Sequence, residues 1–224
     1  MEEKSNEIGA LLDPKTALIF GSVPLKGWGT LRRLCPSPDL VIAADGGIQW
    51  ARAAGYSPEM LVGDWDSWKG PEEGLPSVTL PREKDLTDLQ AAAQLALDWD
   101  CTELWFTCCL GGRLDQTAAN LALTEWVYDR GGNAYLVDET NMAFFWDGRD
   151  LRLLRDPFFP YLSILTLEPK ATGLNLMGLK YSGRGLTLTR GDTMGVSNEF
   201  TEGEALLSAD PCRMLVIRSR NTKF

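Results

Sequence analysis

Two aspartates stand two residues apart directly after an apolar segment, within the sequence LVGDWDS at positions 61–67. In an extended backbone, residues i and i+2 point to the same side, so Asp64 and Asp66 can converge on one cation. Carboxylate oxygens at the carboxyl end of a strand suit Mg²⁺, which keeps several waters and bridges to substrate phosphates. The same residue types also favour a solvated turn. The pair alone leaves both interpretations open.

Three more acidic or glycine-rich clusters follow strands that are expected in the first half of the chain. Together with the aspartate pair, the clusters are DGG at 45–47, DWDS at 64–67, KDLTD at 84–88 and GGRLD at 111–115. In an open parallel sheet, ligands bind beyond the carboxyl ends of the strands. Four clusters of compatible chemistry at such ends favour one shared binding site over four unrelated turns.

Several of these residues have both a functional and a structural interpretation. Asp88 opens an expected helix, where it either adds a third carboxylate to the cation site or stabilises the helix dipole. Gly111 and Gly112 either let the backbone approach phosphates at a helix N-terminus or form an ordinary strand-to-helix turn. Arg113 can hold a phosphate through two hydrogen bonds or form a surface ion pair.

Two further aspartates are candidates for the site where a substrate reacts. Asp45 is either a turn residue or an active-site acid. Asp115 is either an acid at a helix start or a ligand for a ribose or an acceptor group. The residue types alone leave these choices open.

The elements that position these clusters alternate between strand and helix. Strands are expected at 16–21, 40–44, 60–63, 78–80, 103–110 and 133–137, and helices at 28–34, 48–54, 88–97 and 114–128. Thr87 is suited to cap the third helix. Because the strands are apolar, we expect burial on both faces, as in a parallel sheet with helices on each side.

After about residue 140 the pattern changes. Strand-like segments lie at 143–146, 151–154, 162–167, 186–189, 205–208 and 214–217. Gly and turn residues separate them without a convincing helix, which predicts an all-β sandwich or barrel. We therefore predict an α/β fold class. An N-terminal parallel-sheet domain, residues 1–142, is followed by an all-β domain of sandwich or barrel type, residues 143–224.

Composition excludes several classes of function. The chain has 224 residues and a formal net charge of −9, with scattered Lys and Arg, which argues against a nucleic-acid partner because such a partner requires a basic face. Histidine is absent, which excludes Ser-His-Asp and Cys-His nucleophile systems and His-ligated zinc. Acid–base or metal chemistry then falls to carboxylates, Lys, Arg, Tyr, Cys or water.

The five cysteines show no C-x-x-C spacing. Cys108 and Cys109 stand in an apolar segment, which favours buried reduced thiols. The N-terminal sequence MEEK lacks the basic and apolar regions of a signal peptide, and no apolar segment approaches membrane-spanning length. We therefore expect a cytoplasmic protein without a membrane partner.

Taken in order, the clusters resemble the thiamine pyrophosphokinase family. The similar segments are ADGG at 44–47, GDWDS at 63–67, KDLTD at 84–88, GRLD at 112–115, GLKY at 178–181 and GVSNE at 195–199. Each segment is short, but six in the family's order make a specific signal. The resemblance extends over about residues 16–219.

This resemblance implies an enzyme that moves the diphosphoryl group of ATP to the hydroxyethyl oxygen of thiamine and releases AMP. It implies an α/β nucleotide-binding domain followed by a β-sandwich, in agreement with the element pattern. It also implies a homodimer whose active sites lie at the interface between the two chains.

The resemblance assigns roles position by position. The Mg²⁺ ligands would be Asp64, Asp66 and Asp88. The ATP-binding positions would be Lys84, Asp85, Thr87, Gly111, Gly112, Arg113 and Gln116. Catalytic groups besides the metal ligands would be Asp45, Arg113 and Asp115, with the two aspartates near the attacking alcohol. The thiamine contacts would be Asp45, Gly46, Ser197 and Asn198, the last two reaching across the dimer interface.

The chain departs from the family pattern at two positions. Trp65 stands where the family usually has Phe. Gln116 replaces a His that is common in bacterial members, which puts in doubt a mechanism with a base at that position. For the aromatic side chain that stacks on the thiazolium, Tyr181 is one candidate.

Other functions share parts of this pattern. A pyrophosphokinase for another alcohol, such as a hydroxymethylpterin, would need a different acceptor pocket, so segment 195–199 speaks against it. A metal-dependent glycosyltransferase also uses Asp-x-Asp, but the clusters at 84–88 and 112–115 do not belong to it. An inactive nucleotide-sensing module is the alternative without catalysis.

Overall fold

The computed structural model describes residues 15–35, 37–65, 74–81, 83 and 85–221. In its first half, the strands are β1 (Thr16–Phe20), β2 (Leu40–Ala44), β3 (Met60–Gly63), β4 (Ser77–Thr79), β5 (Glu103–Thr107) and β6 (Asn133–Val137). The helices are α1 (Gly29–Leu34), α2 (Gly47–Ala54), α3 (Asp88–Asp98) and α4 (Leu114–Tyr128). All six strands pair in parallel, in the order β6-β5-β1-β2-β3-β4. The predicted strand–helix alternation is therefore confirmed.

Helices cover both faces of this parallel sheet because alternate residues of each strand point to opposite sides. Leu18 and Phe20 of β1 pack with α1 and α2, in a core that also contains Leu31 and Ala51. Ile19 of β1 faces the opposite way and packs with α3 and α4. This double burial explains why β2, and β1 after Thr16, are apolar.

The second half consists of strands. They are β7 (Asn141–Trp146), β8 (Leu151–Leu154), β9 (Tyr161–Thr166), β10 (Lys170–Met177), β11 (Gly183–Thr189), β12 (Asn198–Glu199), β13 (Glu204–Ser208) and β14 (Met214–Ser219). β7 pairs antiparallel with β6 and extends the first sheet through β14, β9 and β12 to ten strands. The remaining four form a second antiparallel sheet in the order β11-β10-β13-β8.

The two antiparallel layers form a sandwich. Met214 and Val216 of β14 face the second sheet in one apolar core, with Trp146, Ile164 and others. Leu215, between them, faces the core that α4 shares with the parallel strands. The predicted fold class, a parallel α/β sheet followed by a β-sandwich, is confirmed. The proposed domain border between residues 142 and 143 falls inside β7, so the two halves share one sheet.

The strands differ from the sequence expectation in several details; for example, β12 was not expected. β5 ends at Thr107 instead of continuing to residue 110, because Cys108 turns the chain with a left-handed φ of 54°. β10 was missed because Gly173, with φ of 65°, and polar residues interrupt its apolar alternation. The register shift beside Gly173 marks an irregularity in the pairing of β10 with β11.

The five cysteines, Cys35, Cys101, Cys108, Cys109 and Cys212, are free and buried, which confirms the prediction made for Cys108 and Cys109. Burial raises the pKa of Cys35 and Cys108 to about 12. These thiols are therefore packing groups and poor nucleophiles at neutral pH. Over the described part of the chain, no helix is long and apolar enough to cross a membrane.

Gly47 allows α2 to begin against the end of β1. A methyl group there would overlap the carbonyl oxygen of Phe20. We expect Gly47→Ala to lower the free energy of unfolding by about 1–3 kcal/mol, the usual cost of overpacking. Gly29→Ala is the matched control, since Gly29 also opens a helix and a methyl group there meets no atom within 4 Å. Urea unfolding of both variants checks this expectation, and equal stability of the two would contradict it.

Candidate active site

The polar clusters of the first half meet around one cavity of about 410 Å³ at the carboxyl edge of the parallel sheet. Its lining residues are Gly21, Ser22, Val23, Ala44, Asp45, Asp64, Thr87, Asp88, Leu89, Cys108, Cys109, Arg113, Gln116 and Asn120. The chain moves from β1 to β2 on one side and later crosses to β5 on the other side of β1. Such a reversal of strand order opens a crevice for ligands.

Asp45 occupies the end of β2 in a strained conformation. Its φ is 49°, and its backbone N–H donates to the carbonyl of Val62 at 2.8 Å. One side-chain oxygen, Oδ2, accepts a hydrogen bond from Ser22 Oγ at 3.4 Å. The other, Oδ1, is buried without a hydrogen-bond partner among the described residues. An unpaired buried oxygen costs free energy, so a donor or cation supplied by a ligand would satisfy it.

The start of α3 supplies a second wall. Thr87 caps this helix as predicted, because its Oγ1 accepts a hydrogen bond from the N–H of Gln90 at 3.2 Å. Asp88 follows in the first turn and lines the cavity together with Asp64 from the end of β3. The structure thus brings together two of the three carboxylates that were predicted to bind the metal.

The sequence predicted an extended backbone at positions 64–66, and Trp65 does not have one. That Asp64 and Asp66 bind one cation stays a prediction. β3 ends at Gly63, and Trp65 has a left-handed φ of 61°, with its Nε1 donating to Thr79 Oγ1 at 3.0 Å. Asp66 and Lys84 lie outside the described residues. Among the residues that are described, no group of three His, Cys, Asp or Glu side chains is arranged to hold a metal.

The turn between β5 and α4 has the conformation that its glycines allow. Gly111 and Gly112 have φ of 91° and 66°, where residues with a side chain are disfavoured. Thr117 Oγ1 accepts a hydrogen bond from the N–H of Gly111 at 3.1 Å. Asn120, buried on α4, donates from Nδ2 to the carbonyl of Cys109 at 2.8 Å. Side chains of α4 therefore fix the turn that precedes the helix.

Arg113 pairs with Asp115 through two hydrogen bonds, from Nη2 at 2.6 Å and from Nε at 3.1 Å. The side chains are 75% and 64% exposed, respectively. Arg113 and Gln116 line the cavity, whereas Asp115 is not among the lining residues. The hydrogen bond from Arg113 lowers the pKa of Asp115, with a further contribution from the N–H of Gln116.

The predicted contacts of the second half lie elsewhere. Ser197 and Asn198 are not part of the first cavity. A second cavity of about 520 Å³ is lined by Asn198, Lys180, Tyr181 and apolar side chains of β10 and β11. Ser197 does not line it; its φ is 59° and its N–H donates to Ser163 Oγ at 3.0 Å.

The side chain of Asn198 is occupied by the backbone around it. Its Oδ1 accepts hydrogen bonds from the N–H groups of Tyr181 at 2.9 Å and Glu199 at 3.0 Å. Its Nδ2 donates to the carbonyl of Tyr181 at 3.1 Å. Asn198 is 7% exposed, whereas Tyr181 is 60% exposed. The buried amide thus holds an exposed aromatic residue in place at the second cavity.

Sequence reasoning missed several residues of the first cavity. Ser22 follows β1, so the rule of the carboxyl strand ends could have found it, but the segment there carries neither acid nor paired glycines. Cys108 and Cys109 were assigned to the strand itself. Asn120 carries no local signal, because only the tertiary packing of α4 brings it to the turn.

Comparisons with protein-family models and with curated proteins indicate the same family. The family description "Thiamin pyrophosphokinase, catalytic domain" matches residues 31–136, and "Thiamin pyrophosphokinase, vitamin B1 binding domain" matches residues 150–210. A curated relative, the thiamine pyrophosphokinase of Bacillus subtilis (strain 168), is 26% identical over 186 residues, covering 80% of this chain and 87% of the relative.

Solved structures agree with this match. The thiamin pyrophosphokinase family protein from Enterococcus faecalis has a TM-score of 0.81 and 26% identity, covering 93% of this chain and 100% of that one. The thiamine pyrophosphokinase from Bacillus subtilis has a TM-score of 0.84 at 24% identity, with the same coverage. Yeast thiamin pyrophosphokinase has a TM-score of 0.73 at 14% identity, covering 95% and 89%. Because these last two structures are less than 25% identical to this chain, their comparison shows similarity of fold alone.

The pairing of Arg113 with Asp115 can be tested by titration. Arg113→Gln should raise the pKa of Asp115, because the hydrogen bond from Arg113 is the largest cause of its lowered value. Carboxyl-carbon NMR across acid pH measures this change. Asp147 is the internal control: burial alone would raise its pKa, but hydrogen bonds from Tyr128 and Arg149 lower it, and the substitution leaves those bonds intact.

The pairing of Arg113 with Asp115 also makes the free energy of unfolding depend on pH, and the sign of this dependence follows from the lowered pKa of Asp115. The folded-state pKa of Asp115 lies below the unfolded value of about 3.9, so the pair stabilises the fold above that pH. Its contribution is lost as the pH falls through the folded-state pKa, and it is small because both side chains are exposed. An Asp115 titration curve that is identical in the wild type and Arg113→Gln would mean that the pair does not form in solution.

Proposed function

The chain belongs to the thiamin pyrophosphokinase family, and from this premise we propose that it transfers the diphosphoryl group of ATP to thiamine. The hydroxyethyl oxygen of thiamine forms a bond to the β-phosphorus and gives up its proton to solvent, the bond from that phosphorus to the α–β bridging oxygen breaks, and AMP leaves. The observation that carries the proposal is the cavity of about 410 Å³, where polar groups from four strand ends meet.

ATP binds with its phosphates at the start of α4 in this proposal. Gly111 and Gly112, with their left-handed backbone, leave room for a phosphate beside the N-terminal N–H groups of the helix. Arg113 stands at the N-cap of α4 and lines the cavity. Its guanidinium already forms two parallel hydrogen bonds to a carboxylate, and a phosphate can accept the same pair of bonds.

We propose that Mg²⁺ accompanies the nucleotide, held by Asp64, Asp66 and Asp88. The donor chemistry fits, since Asp64 and Asp88 line one cavity and carboxylate oxygens are the ligands that this ion prefers. When bound, Mg²⁺ would neutralise negative charge on the phosphate oxygens.

Asp45 positions the acceptor hydroxyl. Its buried Oδ1 lacks a partner among the described residues and can accept the hydrogen bond of an alcohol. Ser22 holds the other oxygen at 3.4 Å, which limits rotation of the carboxylate. The catalytic contribution of Asp45 then lies in orienting the attacking oxygen, the kind of positioning on which phosphoryl-group transfer depends.

Thiamine bridges the two cavities in a homodimer. The cavity at Asn198 shares no residue with the cavity at Asp45, so we propose that each active site combines the first cavity of one chain with the second of its partner. Tyr181, exposed and held by the Asn198 amide, offers an aromatic face to the thiazolium cation.

We also propose a cytoplasmic location, because five buried free thiols suit a reducing compartment.

The activity and the role of Asp45 are tested together by an assay of AMP release from Mg-ATP. We expect release that depends on thiamine and is absent with a hydroxymethylpterin. Asp45→Asn should reduce kcat by about 10²-fold, because the amide can donate where the carboxylate only accepts. Asp100→Asn is the matched control, an aspartate with a similarly left-handed φ of 61° at the opposite end of the sheet. Equal kcat in the two variants would refute the role of Asp45.

Sharing of the active site is tested by mixing two inactive chains. Asp64→Asn removes the metal site and Asn198→Ala removes the support of Tyr181. In a heterodimer, one site combines the two intact halves, so an equal mixture should regain about a quarter of wild-type activity. A mixture that exchanges subunits, as judged by tagged chains, yet stays inactive would assign the site to a single chain.

A further inference from the structure

The loop between β1 and α1, residues 21–28, forms one wall of the first cavity. Gly21, Ser22 and Val23 at its start line the cavity directly. The loop approaches β5 closely, because a methyl group at Gly21 would lie 2.5 Å from the carbonyl oxygen of Cys108. The position of this loop therefore sets the width of the cavity on that side.

A carboxylate from the second half of the chain holds the far end of this loop. The N–H groups of Lys26 and Gly27 both donate to Oε1 of Glu139, the latter at 2.5 Å. At the near end, the N–H of Val23 donates to the carbonyl of Cys108 at 2.8 Å. Two hydrogen bonds to one ionised oxygen are stronger than neutral ones, so Glu139 is a strong anchor for the loop.

Glu139 itself stands on a well-fixed turn between β6 and β7. Asp138 Oδ1 accepts hydrogen bonds from the N–H groups of Thr140 at 2.6 Å and Asn141 at 2.7 Å. Arg220 Nε donates to the carbonyl of Glu139 at 3.1 Å. Hydrogen bonds therefore fix the carbonyl of Glu139 and the backbone that follows it, so the Glu139 carboxylate has a defined position.

A second link joins the same region to the second half. Arg33, near the end of α1, pairs with Asp156 at 2.8 Å and packs over the ring of Phe158. Arg220 lies 3.9 Å from the centre of the same ring. The loop and the helix after it are thus both attached to residues beyond β6.

We propose that Glu139 is a positioning residue for the nucleotide, acting through the loop 21–28 without touching the substrate. The inference rests on the proposed function, in which the first cavity holds ATP. Without the anchor, the far end of the loop gains freedom that nucleotide binding must remove, so affinity for the nucleotide falls. The near end, where Ser22 contacts Asp45, stays held by the hydrogen bond from Val23 to Cys108, so the reacting groups stay in place.

The test compares Glu139→Ala, Glu139→Gln and the control Glu103→Ala. Glu103 is a half-buried carboxylate at the amino end of β5, on the opposite edge of the sheet, where it accepts a hydrogen bond from Asn133 Nδ2 at 2.7 Å. Calorimetry with α,β-methylene-ATP and Mg²⁺ measures binding without turnover. Glu139→Ala should weaken binding about tenfold. Glu139→Gln, which keeps an acceptor oxygen but loses the charge, should weaken it about threefold.

Kinetics separate positioning from general damage to the fold. Glu139→Ala should raise KM for ATP, with kcat and KM for thiamine within about twofold of the wild type. Wild-type affinity in Glu139→Ala, or an equal loss in Glu103→Ala, overturns the inference. If Glu139→Ala does not fold, wild-type affinity in Glu139→Gln overturns it. Wild-type protein that binds the analogue but releases no thiamine-dependent AMP would instead contradict the proposed function.

Discussion

Parallel hydrogen bonding of β5, β1, β2 and β3 is the constraint on which the rest of the structure depends. These strands run in one direction, so their carboxyl ends lie along one edge. The polar cluster that follows each strand therefore lies at that edge. Because helices cover both faces of the sheet, the strands are apolar, and the polar side chains lie at the strand ends. The cavity therefore depends on the order and direction of the strands more than on any single residue.

Strained backbone conformations lie at this edge of the sheet. Asp45, Trp65 and Cys108 adopt left-handed φ directly beyond three of the strands. Such conformations cost about 1–3 kcal/mol each and persist only where the surroundings enforce them. Asp45 and Cys108 line the cavity, and strained backbone conformations cluster at functional sites.

The charge of the cavity is strongly unbalanced. Asp45, Asp64 and Asp88 line it, and Arg113 is the one cationic side chain among the described residues of its wall. Arg113 is already engaged with Asp115. Phosphates brought to such a surface require additional positive charge. This is the physical reason for expecting the nucleotide to bind together with a divalent cation.

The sequence alone determined the local features of this protein, because they depend on neighbouring residues. Apolar segments predicted the parallel strands, Thr87 predicted the start of α3, and the paired glycines predicted the turn before α4. The carboxyl-end rule then placed Asp45, Asp64 and Asp88 near one another, as the structure has them.

Tertiary structure alone decided which distant segments meet. That β7, β14 and β9 extend the first sheet depends on strand pairing, which the period of apolar residues does not encode. The same holds for the Asn198 amide that holds Tyr181 and for the Glu139 carboxylate that anchors a loop 112 residues away. Each of these polar groups has several possible partners in the sequence, and only the packed chain selects one.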